Sequence, residues 1–173
     1  MGLRPAKTCR DVSKVPWSRY SKRTPRKSFV KALPHNCLTV FSMGVAGAYG
    51  IKMDLFADYA IQIRDNSLES ARQAANKYLE KTLPNAYSLK IHVFPHNVLR
   101  ENKMVSGAGA DRIQKGMRKS YGRPTDRAAR LAKGQAMFSA FVNEKDMPAV
   151  KEAYRRAKGK LPGSFSISVK KVS

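Results

Sequence analysis

One alternation of apolar and polar positions occurs twice in this chain, each time followed by a helical stripe and a second alternation. Residues 57–64 place Tyr59, Ile61 and Ile63 on one face and Ala60, Gln62 and Arg64 on the other, which predicts a half-buried strand. Asn66 follows as an N-cap, with Glu69 in capping-box position. Leu68, Ala71, Ala75, Tyr78 and Leu79 then form a helical stripe to about Lys81, and Pro84 ends it. Residues 88–94 alternate again, with Leu89, Ile91 and Val93 inward. The second copy opens with a strand over 135–143. Asp146 caps a helix with Pro148 in its first turn, Val150, Tyr154 and Ala157 facing inward and Gly159 as the stop. Residues 164–170 close it, with Phe165, Ile167 and Val169 on one face.

Shorter signals fill in the rest. Leu38-Thr-Val-Phe-Ser-Met is strand-like, and Gly44, Gly47 and Gly50 then break it into a loop. Their order does not fit a dinucleotide fingerprint, and no phosphate-binding helix follows. Val98 to Asn102 reads as a strand end, and 126–142 as two strands with a hairpin turn at Lys133-Gly134. The fold class is α+β: two strand–helix–strand units forming a sheet covered by helices.

Length permits one domain with a tail, since 173 residues can bury roughly 70% of the unfolded surface. Charge changes the picture more than length does. There are 34 Lys+Arg against 12 Asp+Glu, a formal +22. Such a field repels itself and attracts polyanions, with nucleic acid foremost. The chain has no apolar run of the ~20 residues that cross a bilayer. Its opening Met1-Gly-Leu-Arg-Pro-Ala has neither a secretory apolar segment nor a myristoylation pattern, so the sequence predicts an intracellular protein. Cys9 and Cys37 are then expected as reduced thiols.

The cations concentrate in two places. Residues 1–36 carry Arg4, Lys7, Arg10, Lys14, Arg19, Lys22, Arg23, Arg26 and Lys27 with Asp11 as their one acid, and Pro5, Pro16, Pro25 and Pro34 interrupt any long helix. A segment with no sustained apolar period is expected to be extended or disordered until something binds it. Trp17, Tyr20 and Phe29 suit stacking on bases or packing back onto the domain. The boundary falls at 36/37, with an RNA-binding domain over 37–173. A long loop, 102–122, interrupts that domain. It holds Gly107, Gly109, Gly116 and Gly122, and Lys103, Arg112, Lys115, Arg118 and Lys119 with Arg123 just beyond. Ser106, Gly107, Ala108, Gly109 and Ala110 have almost no side-chain bulk, so backbone amides there can approach another molecule closely. The residues alone also permit a solvated loop, or a short helix over 111–120 packing Ile113 and Met117.

Candidate chemistry is sparse. Cys9, His35 and Cys37 lack a Cys-x-x-Cys knuckle and a fourth zinc ligand. His92 and His96 are four apart on or past a strand, with no carboxylates to complete a metal site. Asp58, Asp65, Glu69 and Glu80 are scattered, mostly at strand ends and helix caps, rather than at acid–base spacing. No cofactor is expected. An RNA-modifying or RNA-cleaving enzyme is the alternative class, and it would need an acidic metal cluster.

The opening Met1-Gly-Leu-Arg-Pro-Ala-Lys and the run Asn102-Lys-Met-Val-Ser-Gly-Ala-Gly-Ala-Asp-Arg-Ile-Gln-Lys-Gly-Met-Arg resemble the universal large-subunit ribosomal protein sixteen family. They are most similar to its archaeal and eukaryotic ten-e branch, the archaeal members especially. Ala74-Ala-Asn-Lys-Tyr, Ile91-His-Val-Phe-Pro-His and Arg155-Arg-Ala-Lys-Gly-Lys-Leu-Pro-Gly are similar as well. The resemblance implies a non-catalytic, cytoplasmic protein in the ribosome, set in ribosomal RNA at the base of the central protuberance. It implies that the loop reaches towards the peptidyl-transferase centre and the tRNAs. The implied partners are large-subunit ribosomal RNA, tRNA and neighbouring ribosomal proteins, with no membrane. The implied role is to order RNA around the aminoacyl-tRNA site and to mature the subunit late.

Overall fold

Ile51, Met53, Leu55 and Ala57 alternate with Lys52, Asp54 and Phe56, and this stretch is the strand around which the others assemble. In the computed structural model, which describes residues 3–6, 9, 33–101, 107–109 and 122–172, eight strands and two helices follow in order. They are β1 (Ser42–Gly44), β2 (Ile51–Ala57), β3 (Ile61–Arg64), α1 (Asp65–Thr82), β4 (Ser88–Ile91), β5 (Asn97–Glu101), β6 (Arg123–Leu131), β7 (Ala136–Val142), α2 (Met147–Lys158) and β8 (Phe165–Lys171). A 3-10 turn, Glu144–Asp146, leads into α2.

The α+β class holds, but the strands divide between two sheets. One has five strands in the order β1-β4-β7-β2-β8, and the other has three, β3-β6-β5. In the larger sheet β2 and β4 both run antiparallel to β7, so they are parallel to each other with β7 between them. Likewise β7 and β8 are both antiparallel to β2 and flank it. The result is two interleaved split βαβ units, each filling the gap in the other. The smaller sheet is built from the links, β3 between β2 and α1, and the β5–β6 pair between β4 and β7.

Both helices lie against one face of the larger sheet and pack on each other. The inward stripes are those the spacing predicts: Leu68, Ala71, Ala75 and Leu79 from α1, and Val150, Ala153, Tyr154 and Ala157 from α2. They meet Met53, Leu55, Leu89, Phe138 and Val142 from the strands. Tyr154 is fully buried, and its hydroxyl donates to the Met53 carbonyl at 2.8 Å, so the one polar atom it brings inside is satisfied.

Several sequence expectations are corrected. The pattern over 57–64 is not one strand, because residues 58–60 turn the chain from one sheet to the other, leaving Tyr59 46% exposed. Strand β2 itself lies outside that expectation. The strand expected from Leu38 begins only at Ser42. Before it, Asn36 bridges both backbone groups of Leu38, and the Cys37 amide donates to Asp65 at 3.0 Å, which seats Leu38 in the core instead. No capping box forms. The helix starts at Asp65, whose carboxylate accepts from the Asn66 amide, while Glu69 is taken up by Arg72 and Gln73. Asp146 caps α2 by position alone, without a side-chain bond. Val169 is exposed, so only Phe165 of the closing stripe is fully inward.

The smaller sheet is buried on both sides. Ile61 and Ile63 face the main core, while Gln62 and Arg64 face the opposite way and are buried too. Their cover is the start of the chain. Gln62 donates to the carbonyls of Ala6 and Cys9 at 3.0 and 3.1 Å, and Ala6 packs with Leu99 and Ala128. Residues 3–6 and 9 are thus fastened to the domain where an extended segment was expected. Arg64 is the hub. Its Nε donates to the Arg4 carbonyl at 2.7 Å, one terminal nitrogen to Glu101 at 2.6 Å and the other to Asp126.

That fork has three differently placed acceptors, so Arg64→Met should strip the cation from two part-buried carboxylates. We expect a loss of about 3 kcal/mol in urea unfolding, the low end for breaking a buried pair, because Asp126 keeps some solvent. Arg64→Lys should recover less than half of it, since an ammonium cannot reproduce the fork. A shift near zero for Arg64→Met would show that the hub is solvated and structurally idle.

Candidate nucleic-acid interface

The long basic loop leaves the smaller sheet between β5 and β6, and its root is fixed from several sides. Arg64 holds Glu101 at the end of β5 and Asp126 near the start of β6. Arg100 donates to the Gly122 carbonyl at 3.2 Å. Gly122 has φ +64, and a Cβ there would lie 2.8 Å from the Glu101 carbonyl carbon, so the returning chain crosses the outgoing one too closely for any other residue. Farther out the geometry reverses. Gly107 and Gly109 also have positive φ, yet a Cβ on either would meet nothing within 4 Å. Gly107, Ala108 and Gly109 are exposed, as is Arg123 at the foot of β6.

Of the other expected contact residues, Arg4 is exposed while its carbonyl anchors Arg64. Lys7, Arg10, Lys14, Arg19, Lys22, Arg23, Arg26 and Lys27 lie outside the described residues, as do Lys103, Ser106, Ala110, Arg112, Lys115, Arg118 and Lys119. Trp17, Tyr20 and Phe29, and the possible helix over 111–120, lie outside them too.

Two further cationic surfaces belong to the domain itself, and the sequence reading passed over both. Between α1 and α2 lies a groove of about 670 Å³ lined by Lys77, Tyr78, Lys81, Arg155, Arg156 and Lys160. The Arg156 guanidinium sits 4.1 Å from the Tyr78 ring centre. The neighbouring Glu152 bonds Arg155 and Arg156 at 2.7 and 3.0 Å, and these bonds hold its carboxyl down to about 2. The second surface is the face of the larger sheet away from the helices, where Lys52, Lys90 and Phe141 come together.

Beside Phe141 runs a chain of polar groups that bears on the enzyme alternative. His92 Nε2 lies 2.7 Å from the Ser139 hydroxyl, and that hydroxyl bonds Asp54, which Lys52 approaches at 3.3 Å. Ser139 donates to the carboxylate and therefore accepts from His92. A nucleophilic serine needs the reverse, its proton directed at the imidazole and the carboxylate behind the histidine. Ser139 is also wholly buried. Among the described residues no three His, Cys, Asp or Glu side chains are grouped to hold a metal, and no helix is long and apolar enough to cross a membrane. Cys9 and Cys37 are free thiols.

With this geometry in hand, similarity to known proteins can be set beside it. The family model for ribosomal protein L16p/L10e matches residues 17–168. The large ribosomal subunit protein uL16 of Archaeoglobus fulgidus is 41% identical over 157 residues, 90% of each chain. That of Staphylothermus marinus is 43% identical over 164 residues, 94% of this chain and 90% of its own. That of Haloarcula marismortui is 36% identical over 177 residues, 99% and 96% respectively.

The two histidines in the link between β4 and β5 generate a pH prediction. Burial, with Lys52 and Lys90 outweighing Asp54, lowers the pKa of His92 below its usual 6.5, and burial with Arg127 lowers that of His96. The unfolded chain therefore takes up these protons first as pH falls, so stability is full above 6.5 and declines below it. Thermal melting between about pH 7.5 and 5.5 should show this decline, and the pair His92→Gln and His96→Gln should flatten it. An unchanged slope in the double variant would assign the decline to other groups.

Proposed function

The chain belongs to the ribosomal protein L16p/L10e family, and on that premise we propose that it binds large-subunit ribosomal RNA and helps organise the tRNA-binding region near the peptidyl-transferase centre. It is a structural constituent of the large ribosomal subunit in the cytoplasm, and its relatives carry the names of ribosomal proteins rather than of enzymes. The observation that carries the finer reading is the loop. Its root is held by Arg64 and the close crossing at Gly122, whereas Gly107 and Gly109 stand in open space at positive φ. A device of that kind presents bare backbone to a partner at a set distance from the domain, and on a chain of +22 the partner is polyanionic.

In this reading residues 1–36 serve as a basic extension, with Arg4, Lys7, Arg10, Lys14, Arg19, Lys22, Arg23, Arg26 and Lys27 neutralising phosphates. The domain 37–173 projects loop 102–122. Lys103, Arg112, Lys115, Arg118, Lys119 and Arg123 attach the loop to RNA, while Ser106 to Ala110 give close access to RNA or to a tRNA end. Neighbouring ribosomal proteins complete the surroundings.

Two measurements test it. If about 6–10 phosphates are neutralised, affinity for a ribosomal RNA fragment should fall by about 10³–10⁵ between roughly 50 and 200 mM salt. A salt-insensitive complex would end the reading. Gly109→Val places a branched residue at φ +78, a conformation it rarely adopts, with no clash inside the domain. Subunits carrying it should assemble at normal occupancy yet form peptide bonds poorly with tRNA substrates. Normal occupancy together with normal activity would reduce the loop to a spacer.

A further inference from the structure

The helices cover one face of the five-stranded sheet, and the other face poses its own question. Lys52 pairs across with Phe141 on one side and with Lys170 on the other, and Phe141 pairs with Ser88. One step along, Asp54 lies opposite Ser139, and Ser139 opposite Lys90. Lys52 Nζ is 6.0 Å and Lys90 Nζ 5.6 Å from the centre of the Phe141 ring. Lys90, His92 and Lys170 are exposed, and Phe141 is half-buried.

Phe141 is not among the half-buried apolar side chains packed against the core, and its cross-strand partners are a lysine and a serine. The ring therefore does little for stability that a smaller residue could not do. The acid on this face, Asp54, is 6% exposed and already engaged by Ser139 and Lys52, so it does not repel an incoming anion strongly. His92 is held neutral at pH 7, and its Nε2–H is spent on Ser139. An apolar protein partner would find too little apolar surface here, and a duplex backbone would have no use for the ring. A ring between two cations on an open sheet matches one ligand chemistry closely: an unpaired nucleobase with its flanking phosphates.

We propose that this face is a second RNA contact, distinct from the loop, in which Phe141 stacks an unpaired base and Lys52 and Lys90 hold the adjoining phosphates. The proposal rests on the ribosomal RNA reading above and names the form of RNA bound, a single-stranded nucleotide rather than a helix. Asp54, Ser139 and His92 act as positioning residues. Their bonds across β2, β7 and the end of β4 fix Lys52 beside the ring.

The test uses the full chain with Trp17→Phe, so that Phe141→Trp supplies the only indole. Decauridine and a short RNA duplex are the probes. Decauridine should quench the new indole, whereas the duplex should bind with little quenching. In the otherwise unaltered chain, Phe141→Leu should weaken decauridine binding by about tenfold and change duplex binding less than twofold. Lys52→Gln with Lys90→Gln should lower the salt slope for decauridine by about 1.4, two phosphates at ~0.7 each for a single strand. Melting temperatures check that the variants fold. Decauridine binding without quenching, and unaffected by Phe141→Leu, would overturn the proposal and leave the ribosomal RNA reading standing. Quenching by polyglutamate as strong as by decauridine would overturn it in favour of an acidic protein segment. Failure to bind either RNA would remove both readings together.

Discussion

Surplus positive charge constrains everything else in this molecule. With 34 cations against 12 acids, the folded chain works against its own field, and each carboxylate is a scarce resource. Among the described residues, several of them join elements, and others hold cations within one. Asp65 receives the Cys37 amide and so ties the segment leading to β1 onto the start of α1. Glu101 and Asp126 fasten Arg64 across the smaller sheet. Asp54 sits between Lys52 and Ser139 in the larger one. Glu152 holds two arginines at the groove between the helices. Removing Asp54, Glu101, Asp126 or Glu152 thus acts twice, by loss of a bond and by leaving its cation in a field already repulsive. This is also the physical argument against an acidic catalytic cluster, since the acids that would build one are dispersed as fasteners.

The two interleaved split βαβ units explain how a chain so charged still has a core. Each unit contributes the strand that completes the other, so neither half buries its apolar face alone, and both helices cover one continuous surface. The smaller sheet is made from connections in that scheme. It hangs from the main core by Ile61, Ile63, Ala129 and Leu131, and its far side is closed by the first residues of the chain. The beginning of the chain and the root of the loop are therefore coupled through Arg64 and Gln62, although 56 residues separate Gln62 from the Ala6 carbonyl it binds.

Much of this was legible in the sequence, and the failures have physical causes. Both helices, the turn at Lys133-Gly134 and the inward stripes were readable because each depends on a local signal, but the expected hairpin does not form: β6 and β7 leave that turn into different sheets. Strand β2 carries a signal as regular as any, but three glycines precede it and the alternation runs on through Ala57 into β3. A period of two records which face a side chain takes, not which sheet it belongs to, so the turn at 58–60 was invisible. The capping box failed because Asp65, one position earlier, competed for the helix start and had a long-range amide to accept. Arg64 read as a solvent-facing residue, since nothing local says that its two carboxylates lie 37 and 62 positions away. Likewise nothing local sets Phe141 beside two lysines; the register between strands does.

The glycines of the loop separate internal from external constraint. At Gly122 the positive φ and the missing side chain are both required by the protein itself, because the Glu101 backbone occupies the space a Cβ would need. At Gly44 the Tyr87 carbonyl imposes the same requirement on β1. At Gly107 and Gly109 the backbone again lies where only glycine is comfortable, yet no atom of the domain crowds the site. Packing gives no reason for glycine there, and a bare, costly-to-order backbone is a liability in an isolated protein. Under the proposed function that liability becomes useful. The ordering cost is met by RNA when the subunit assembles, while the fixed root at Arg64 and Gly122 limits where the bare segment can be placed. On that reading the base and Gly107 and Gly109 divide the labour: the domain would set position, and the nucleic acid would set conformation.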